Sequence, residues 1–212
     1  ATSKSYSDPE IGHAWGIFAP TYALRGRTEG FAAWRDMVDW LHPFGARIVA
    51  TLPLLSSFPS EPSPYSPASR LFWNEFYVDA GVPARNEKLL NYAKVAQAKR
   101  AKLEREALRF KNKCDAQLND YAAFRAATEK LGSWHTWPER MRNGDLRPSD
   151  YDGRTKDYYA YAQSRAQEQM DDLLQHCRSK GMKFYLDLPL GVHPNGYDVW
   201  RERGSFALDM SA

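Results

Sequence analysis

Two spacings of apolar residues alternate along this chain. "WGIFA", from Trp15 to Ala19, is a short apolar run closed by Pro20, as expected of a fully buried parallel strand. Phe31, Trp34, Val38 and Leu41 then recur at three and four residues, which places one apolar face on a helix that Pro43 and Gly45 end. "RIVATLPL", from Arg47 to Leu54, returns to the strand pattern, and its central run suits a strand covered on both faces. The order so far is strand, helix, strand.

The same unit returns near the end. "GARIVATLPL" (Gly45 to Leu54) and "GMKFYLDLPL" (Gly181 to Leu190) both read glycine, any residue, a basic residue, three apolar residues, one polar residue, then Leu-Pro-Leu. The match makes Thr51 and Asp187 equivalent, each the first polar side chain after an apolar strand core. An amphipathic helix precedes the second copy, from Asp157 to Arg178, with Ala162, Ala166, Met170, Leu173 and Cys177 on one face. Repeated βα units with parallel strands predict an α/β fold, either a barrel or a doubly wound sheet. In both, ligands bind at the carboxyl ends of the strands, where Thr51 and Asp187 fall.

The segment between the two copies is too long for an ordinary connection. It opens with "SSFPSEPSPYSPAS", Ser56 to Ser69, whose proline and serine content predicts irregular loop. A long helix is expected next. Leu89, Ala93, Ala96, Leu103, Ala107, Phe110 and Cys114, with Arg100 among them, alternate by four and three, a narrow seam whose expected partner is the helix from Asp120 to Gly132. Between Lys94 and Lys113 stand eight basic residues and two acidic ones. A solvated outer surface is expected there; a nucleic-acid face is the alternative, without a binding motif or interleaved stacking residues to support it.

Composition narrows the classes. With 43% hydrophobic and 26% charged residues in 212, the chain can bury a sizeable core, and it holds no apolar run long enough to span a bilayer. "ATSKSYSDPE" lacks the layout of a signal peptide, so a cytoplasmic location is expected, with Cys114 and Cys177 as free thiols. A net charge of +3 does not by itself imply nucleic acid. No Gly-rich phosphate loop follows a strand, the five histidines lack metal-ligand spacing, and no Gly-x-Ser-x-Gly elbow is present.

What remains is Asp187 at a strand end, facing a loop that carries Tyr65, Phe72, Trp73, Phe76 and Tyr77. Aromatic rings stack on the apolar faces of pyranoses while carboxylates bind hydroxyls, so the layout fits a carbohydrate site. An aspartate so placed also serves as a helix cap or an arginine partner, and the residues alone leave both open.

"WGIFAPTYALR", "ATLPLL", "SPYSPASRLFWNEFYVD" and "DLPLGVHPNGYDVW", in that order, resemble the amylomaltase family, the 4-α-glucanotransferases or disproportionating enzymes. The resemblance runs from about Trp15 to the end of the chain. It implies a (β/α)8 TIM barrel of which the first three strands are present, interrupted by a helical insertion. The organisation it implies is an extension over 1–14, the first two strands and the aromatic loop over 15–84, the insertion over 85–150, and the third strand with its helix and following loop over 151–212. It further implies retaining double displacement on starch- or glycogen-type α-1,4-glucans, with a second sugar's 4-hydroxyl as acceptor and no cofactor or metal. By resemblance Tyr65 and Asp187 hold the sugar next to the scissile bond. Asn74, Tyr77, Asp79, Asp198 and Trp200 also match family motifs, and a structural role suits them equally. The nucleophilic aspartate and the acid–base glutamate are expected beyond residue 212. The segment His193 to Gly196 departs from commoner members. Expected partners are malto-oligosaccharides and the remainder of the chain's own barrel, with no nucleic acid and no membrane. The alternative is a non-catalytic glucan-binding or assembly module using Tyr65, Trp73 and the helical hairpin.

Overall fold

The computed structural model describes residues 14–24, 30–61, 63–82, 92–110 and 114–207. Three parallel strands form one sheet in the order β1 (Gly16–Phe18), β2 (Ile48–Thr51), β3 (Lys183–Leu186). Helix α1 (Phe31–Leu41) connects the first two. Between β2 and β3 lie α2 (Tyr92–Ala107), α3 (Ala116–Leu131), the short α4 (Glu139–Arg142) and α5 (Gly153–Ser179); α6 (Tyr197–Arg201) follows β3. Among the described residues no helix is long and apolar enough to cross a membrane.

The recurrent glycine has one role in both copies. Gly45 and Gly181 sit at φ 81° and 63°, a left-handed turn that ends the preceding helical segment and aims the chain into a strand. At the other ends of the long helices, Asp115 and Asp152 accept the backbone N–H of Leu118 (2.7 Å) and Thr155 (2.8 Å), satisfying donors that the helix cannot.

The apolar stripe predicted on α1 is buried: Phe31, Trp34, Val38 and Leu41 meet Ala162, Ala166, Met170, Leu173 and Cys177 of α5 over one face of the sheet. The cross-strand row Ile17, Val49, Phe184 points into this core, and Trp34 meets Phe184 edge to face at 5.2 Å. On the opposite face β1 departs from the full burial expected of it, with Gly16 and Phe18 exposed, while β2, expected to be covered on both faces, is buried at Val49 and Thr51 and half-buried at Ile48 and Ala50. Phe18 and Tyr185, in the row facing away, are 58% and 64% exposed.

The strand register also corrects the sequence alignment. Thr51 lies opposite Leu186, not Asp187, so the two copies are offset by one residue in the sheet. One residue changes the face of a strand. Thr51 therefore turns into the helix-side core, its hydroxyl 3.1 Å from Thr21 Oγ1, which accepts from Trp34 Nε1 at 2.9 Å.

The predicted seam on α2 holds in its second half and has another partner. Leu103 and Ala107 are buried and Ala96 is half-buried, Ala93 is exposed while Val95 beside the seam is buried instead, and the helix packs on α5. The expected α3 approaches through an ion pair, Arg100 to both carboxylate oxygens of Glu129 at 2.5 and 2.8 Å. The length of α5 lets it pack against α1, α2 and α3 together, with Tyr158 and Tyr159 buried. Lys94 and Arg105 of α2 are exposed, as a solvated surface requires, while two other basic residues are used internally. Lys99 is buried and donates to Phe76 O at 2.8 Å, and Arg100 also bonds Glu104 at 2.7 Å. The part of the seam at Leu89 and the basic residues at 111 and 113 lie outside the described residues.

A second, aromatic core joins distant segments. Tyr121 and Phe124 of α3 pack with Phe72, Trp137, Tyr197 and Trp200, the Phe72 and Tyr121 rings stacking at 3.8 Å. This core anchors the loops that follow β2 and β3.

Candidate functional site

The loop after β2 and the loop after β3 meet at the carboxyl end of the sheet. There Tyr65 Oη donates to Asp187 Oδ2 at 3.1 Å, joining residues 122 positions apart. Tyr65 is 54% exposed, and Asp187 Oδ1 has no partner among the described residues. Shielding from water, the bond to Asp187 and the charge of that carboxylate raise the Tyr65 hydroxyl above the ordinary tyrosine range, so it stays a proton donor. A phenol ring beside a carboxylate with a free oxygen can take a sugar hydroxyl and one face of its ring. It cannot by itself perform retaining displacement, which needs two carboxyls about 5–5.5 Å apart. Among the described residues no cluster of three His, Cys, Asp or Glu side chains could hold a metal ion.

The pair is positioned by loop-to-loop bonding. His193 N–H donates to Pro67 O at 2.8 Å and Tyr197 N–H to Ala68 O at 2.7 Å, while Ala68 N–H returns to Ser56 O at 2.7 Å. Asp198, an expected site residue, fastens the same junction from α6. It accepts from Ser69 Oγ at 2.5 Å and Arg70 N–H at 2.8 Å and is itself buried, so its role here is to tie the two loops. Trp200 is wholly buried and donates to Met141 O at 2.8 Å.

The remaining expected residues hold the exit of the β2 loop. Asn74 Nδ2 donates to Ser57 Oγ at 2.9 Å while its Oδ1 accepts Phe76 N–H at 3.0 Å, closing the loop's two ends on each other. Tyr77 packs edge to face on Phe31 at 6.3 Å. Asp79 accepts Gly81 N–H at 2.7 Å and is gripped at its backbone by Gln169. The aromatic loop is thus mostly core: of its five rings, only Tyr65 reaches Asp187. Phe72 stacks in the second core, and Trp73 and Tyr77 pack against the first, where their apolar area is removed from water.

Several contributors were not singled out from the sequence. Gln163 pairs with the Trp73 backbone in both directions (3.0 and 2.7 Å), Gln169 does the same for Asp79 (2.8 and 2.9 Å), and Gln167 takes Trp73 Nε1 at 2.9 Å. Spaced along α5, these amides stand in for a missing strand partner. Arg125 of α3, 2% exposed, donates to Ser56 Oγ (2.6 Å), Ser57 O (3.3 Å) and Glu75 Oε1 (3.0 Å), so one guanidinium spans the loop's beginning and its end. Its position inside an apolar helix pattern was the available signal, since an arginine there must find acceptors.

Relatives place the chain. A family model described as 4-alpha-glucanotransferase matches residues 19–212. The 4-alpha-glucanotransferase of Mycobacterium bovis is 29% identical over 94% of this chain, which covers 35% of that relative's length. The chloroplastic/amyloplastic 4-alpha-glucanotransferase DPE1 of Oryza sativa subsp. japonica is 31% identical over 44% of this chain and 17% of its own. In fold, the chain is similar to an amylomaltase from Streptococcus agalactiae solved in complex with acarbose, with a TM-score of 0.75 and 20% identity, covering 92% of this chain and 47% of that one. It thus spans about a third of the first of these curated relatives. The α/β sheet, the ordered motifs and the family match agree, and this chain belongs to the 4-alpha-glucanotransferase family.

Proposed function

We propose that the chain supplies the first three strands of a (β/α)8 catalytic barrel in a 4-α-glucanotransferase, with 85–150 as a helical insertion. Its contribution to the chemistry is a sugar-holding wall. Tyr65 and Asp187 orient a glucose unit next to the scissile bond, and Asp79, Asn74, Tyr77, Asp198 and Trp200 hold the loops behind them. The nucleophilic aspartate and the acid–base glutamate come from later strands outside residues 1–212. Transfer then proceeds by retaining double displacement: a glycosyl–enzyme ester forms as the leaving glucan takes a proton, and the 4-hydroxyl of an acceptor glucan displaces the carboxylate.

The observation that carries this reading is the Tyr65–Asp187 hydrogen bond at the carboxyl end of a parallel sheet, 3.1 Å long. The exposed row Phe18 and Tyr185 supports the second element of the proposal, that further βα units of the same barrel cover this face. Cytoplasmic metabolism of starch- or glycogen-type glucans, without cofactor, metal, nucleic acid or membrane, belongs to the same proposal. The structural relative's complex with acarbose is in keeping with a sugar ligand.

The test is maltotriose disproportionation by the full-length polypeptide. Tyr65→Phe removes a hydrogen bond to a charged group, worth about 1.5–3 kcal/mol, and should weaken transfer roughly ten- to a hundred-fold, while Asp187→Asn keeps an acceptor but removes the charge and should weaken it by less. Residues 1–212 alone should give no transfer, and turnover by them would overturn the division of labour. Saturable malto-oligosaccharide binding by the full-length polypeptide, lost in Tyr65→Ala and accompanied by no turnover, would instead favour a binding module.

A further inference from the structure

His193 sits in the segment that departs from the commoner family pattern, and its contacts converge on the two loops that carry Tyr65 and Asp187. We propose that His193 and Glu61 form a clasp that sets Tyr65 against Asp187, which makes His193 a positioning residue for glucan binding. The proposal rests on the sugar-site reading above.

The imidazole is only 6% exposed, yet every polar atom of the residue that faces the loops is used. Its backbone N–H donates to Pro67 O at 2.8 Å, just past Tyr65 in the chain. Nδ1 accepts Asn195 N–H at 3.0 Å, which leaves the ring proton on Nε2. Nε2–H in turn donates to Glu61 Oε2 at 2.8 Å, just before Tyr65. The ring edge meets Phe58 at 5.0 Å, and Phe58 lies under the Arg125 guanidinium at 5.4 Å, so the clasp is backed by the buried arginine. Gly196 completes the turn where a side chain would not fit: a Cβ there would stand 2.5 Å from Ala68 O.

The loop is therefore gripped on both sides of Tyr65. Between the grips the described backbone bonds are local and long, Tyr65 N–H to Ser63 Oγ at 3.4 Å and Ser66 N–H to Ser63 O at 3.3 Å, and the distant partner is the one Tyr65 Oη finds in Asp187. The direction of the Tyr65 ring thus follows from where Glu61 and Pro67 are fixed. Glu61 is 62% exposed, and an exposed carboxylate contributes little to overall stability. The consequence of its bond to His193 falls on loop position.

Glu61 is the residue to change, because water can reach the place of its exposed side chain and take up Nε2–H, and the melting temperature checks that folding is not the explanation. In the full-length polypeptide, Glu61→Ala should weaken maltotetraose binding about three- to ten-fold with an unchanged melting temperature. Glu61→Gln keeps an acceptor for Nε2–H and should restore wild-type binding. In a Tyr65→Ala background the Glu61→Ala penalty should vanish, since the clasp acts through the Tyr65 side chain. Wild-type binding by Glu61→Ala alongside weakened binding by Tyr65→Phe would overturn the clasp and leave the sugar site standing. Additive losses in the double variant, or failure of Glu61→Gln to rescue, would also overturn it. Normal binding by Tyr65→Phe would remove the sugar-site reading itself, and the clasp with it.

Discussion

Replacing Arg125 by methionine tests whether the buried polar cluster beneath the β2 loop is a fixed scaffold. The guanidinium donates to Ser56 Oγ, Tyr121 Oη, Ser57 O, Glu75 Oε1 and Tyr159 Oη. These bonds do not contribute equally. Ser56 and Tyr121 retain each other at 2.5 Å, and Tyr159 retains Glu129, so three of the five acceptors keep a partner without the arginine. Glu75 does not. Its Oε2 is already buried without a hydrogen bond, and Arg125 is the ion-pair partner of its Oε1. The loss is therefore dominated by one stranded carboxylate, and breaking a buried pair on one side costs about 3–5 kcal/mol. Removing Glu75 as well takes away the stranded charge, so Arg125→Met with Glu75→Met should recover most of that loss. Urea unfolding followed by tryptophan fluorescence measures both, with Trp134, Trp137 and Trp200 as buried reporters in the adjoining core. A loss below about 1 kcal/mol for Arg125→Met, or no recovery in the double variant, would refute the argument.

Two further outcomes follow from the electrostatics. The Arg140 guanidinium fork, and after it the Arg147 N–H, hold Asp150 down to about 2 against the cost of its burial. The folded value lies below the unfolded one, so this contribution is complete above about pH 4 and is lost as the pH falls towards 2. Acid titration of stability should show that limb in the wild type and lack it in Asp150→Asn. Burial pushes the Cys177 thiol up to about 11, so a thiol reagent at pH 8 should label it only after unfolding. Rapid labelling of Cys177 in the folded chain would contradict its place under α1.

How the fold could be read from the sequence follows the reach of each signal. The stripe of α1, the α5 face and the glycine before β2 and β3 were legible because they report on a few neighbouring residues, and a helix or strand period is a local property. The four ordered motifs likewise gave the family, which the match over residues 19–212 bears out. The paired choice of Tyr65 and Asp187 came from that resemblance, and their meeting in space is a fact of the structure alone.

Long-range geometry set the rest. The Gly-to-Leu-Pro-Leu repeat equated Thr51 with Asp187, but the sheet pairs Thr51 with Leu186, and that single offset sends one hydroxyl into the core while the aspartate continues to the site. No local pattern encodes a register between strands more than a hundred residues apart; side-chain packing against α1 and α5 does. The aromatic loop shows the same limit. Its composition announced rings, while the choice between core and site depended on where Gln163, Gln167, Gln169 and Arg125 held the backbone. The sequence by itself determined the three strands, the longer helices and the family they compose, while the short α4 and α6 carried no periodic signal. Only the tertiary structure decided which polar side chains face one another, because hydrogen bonding of that kind is fixed by distance in space and is independent of spacing along the chain.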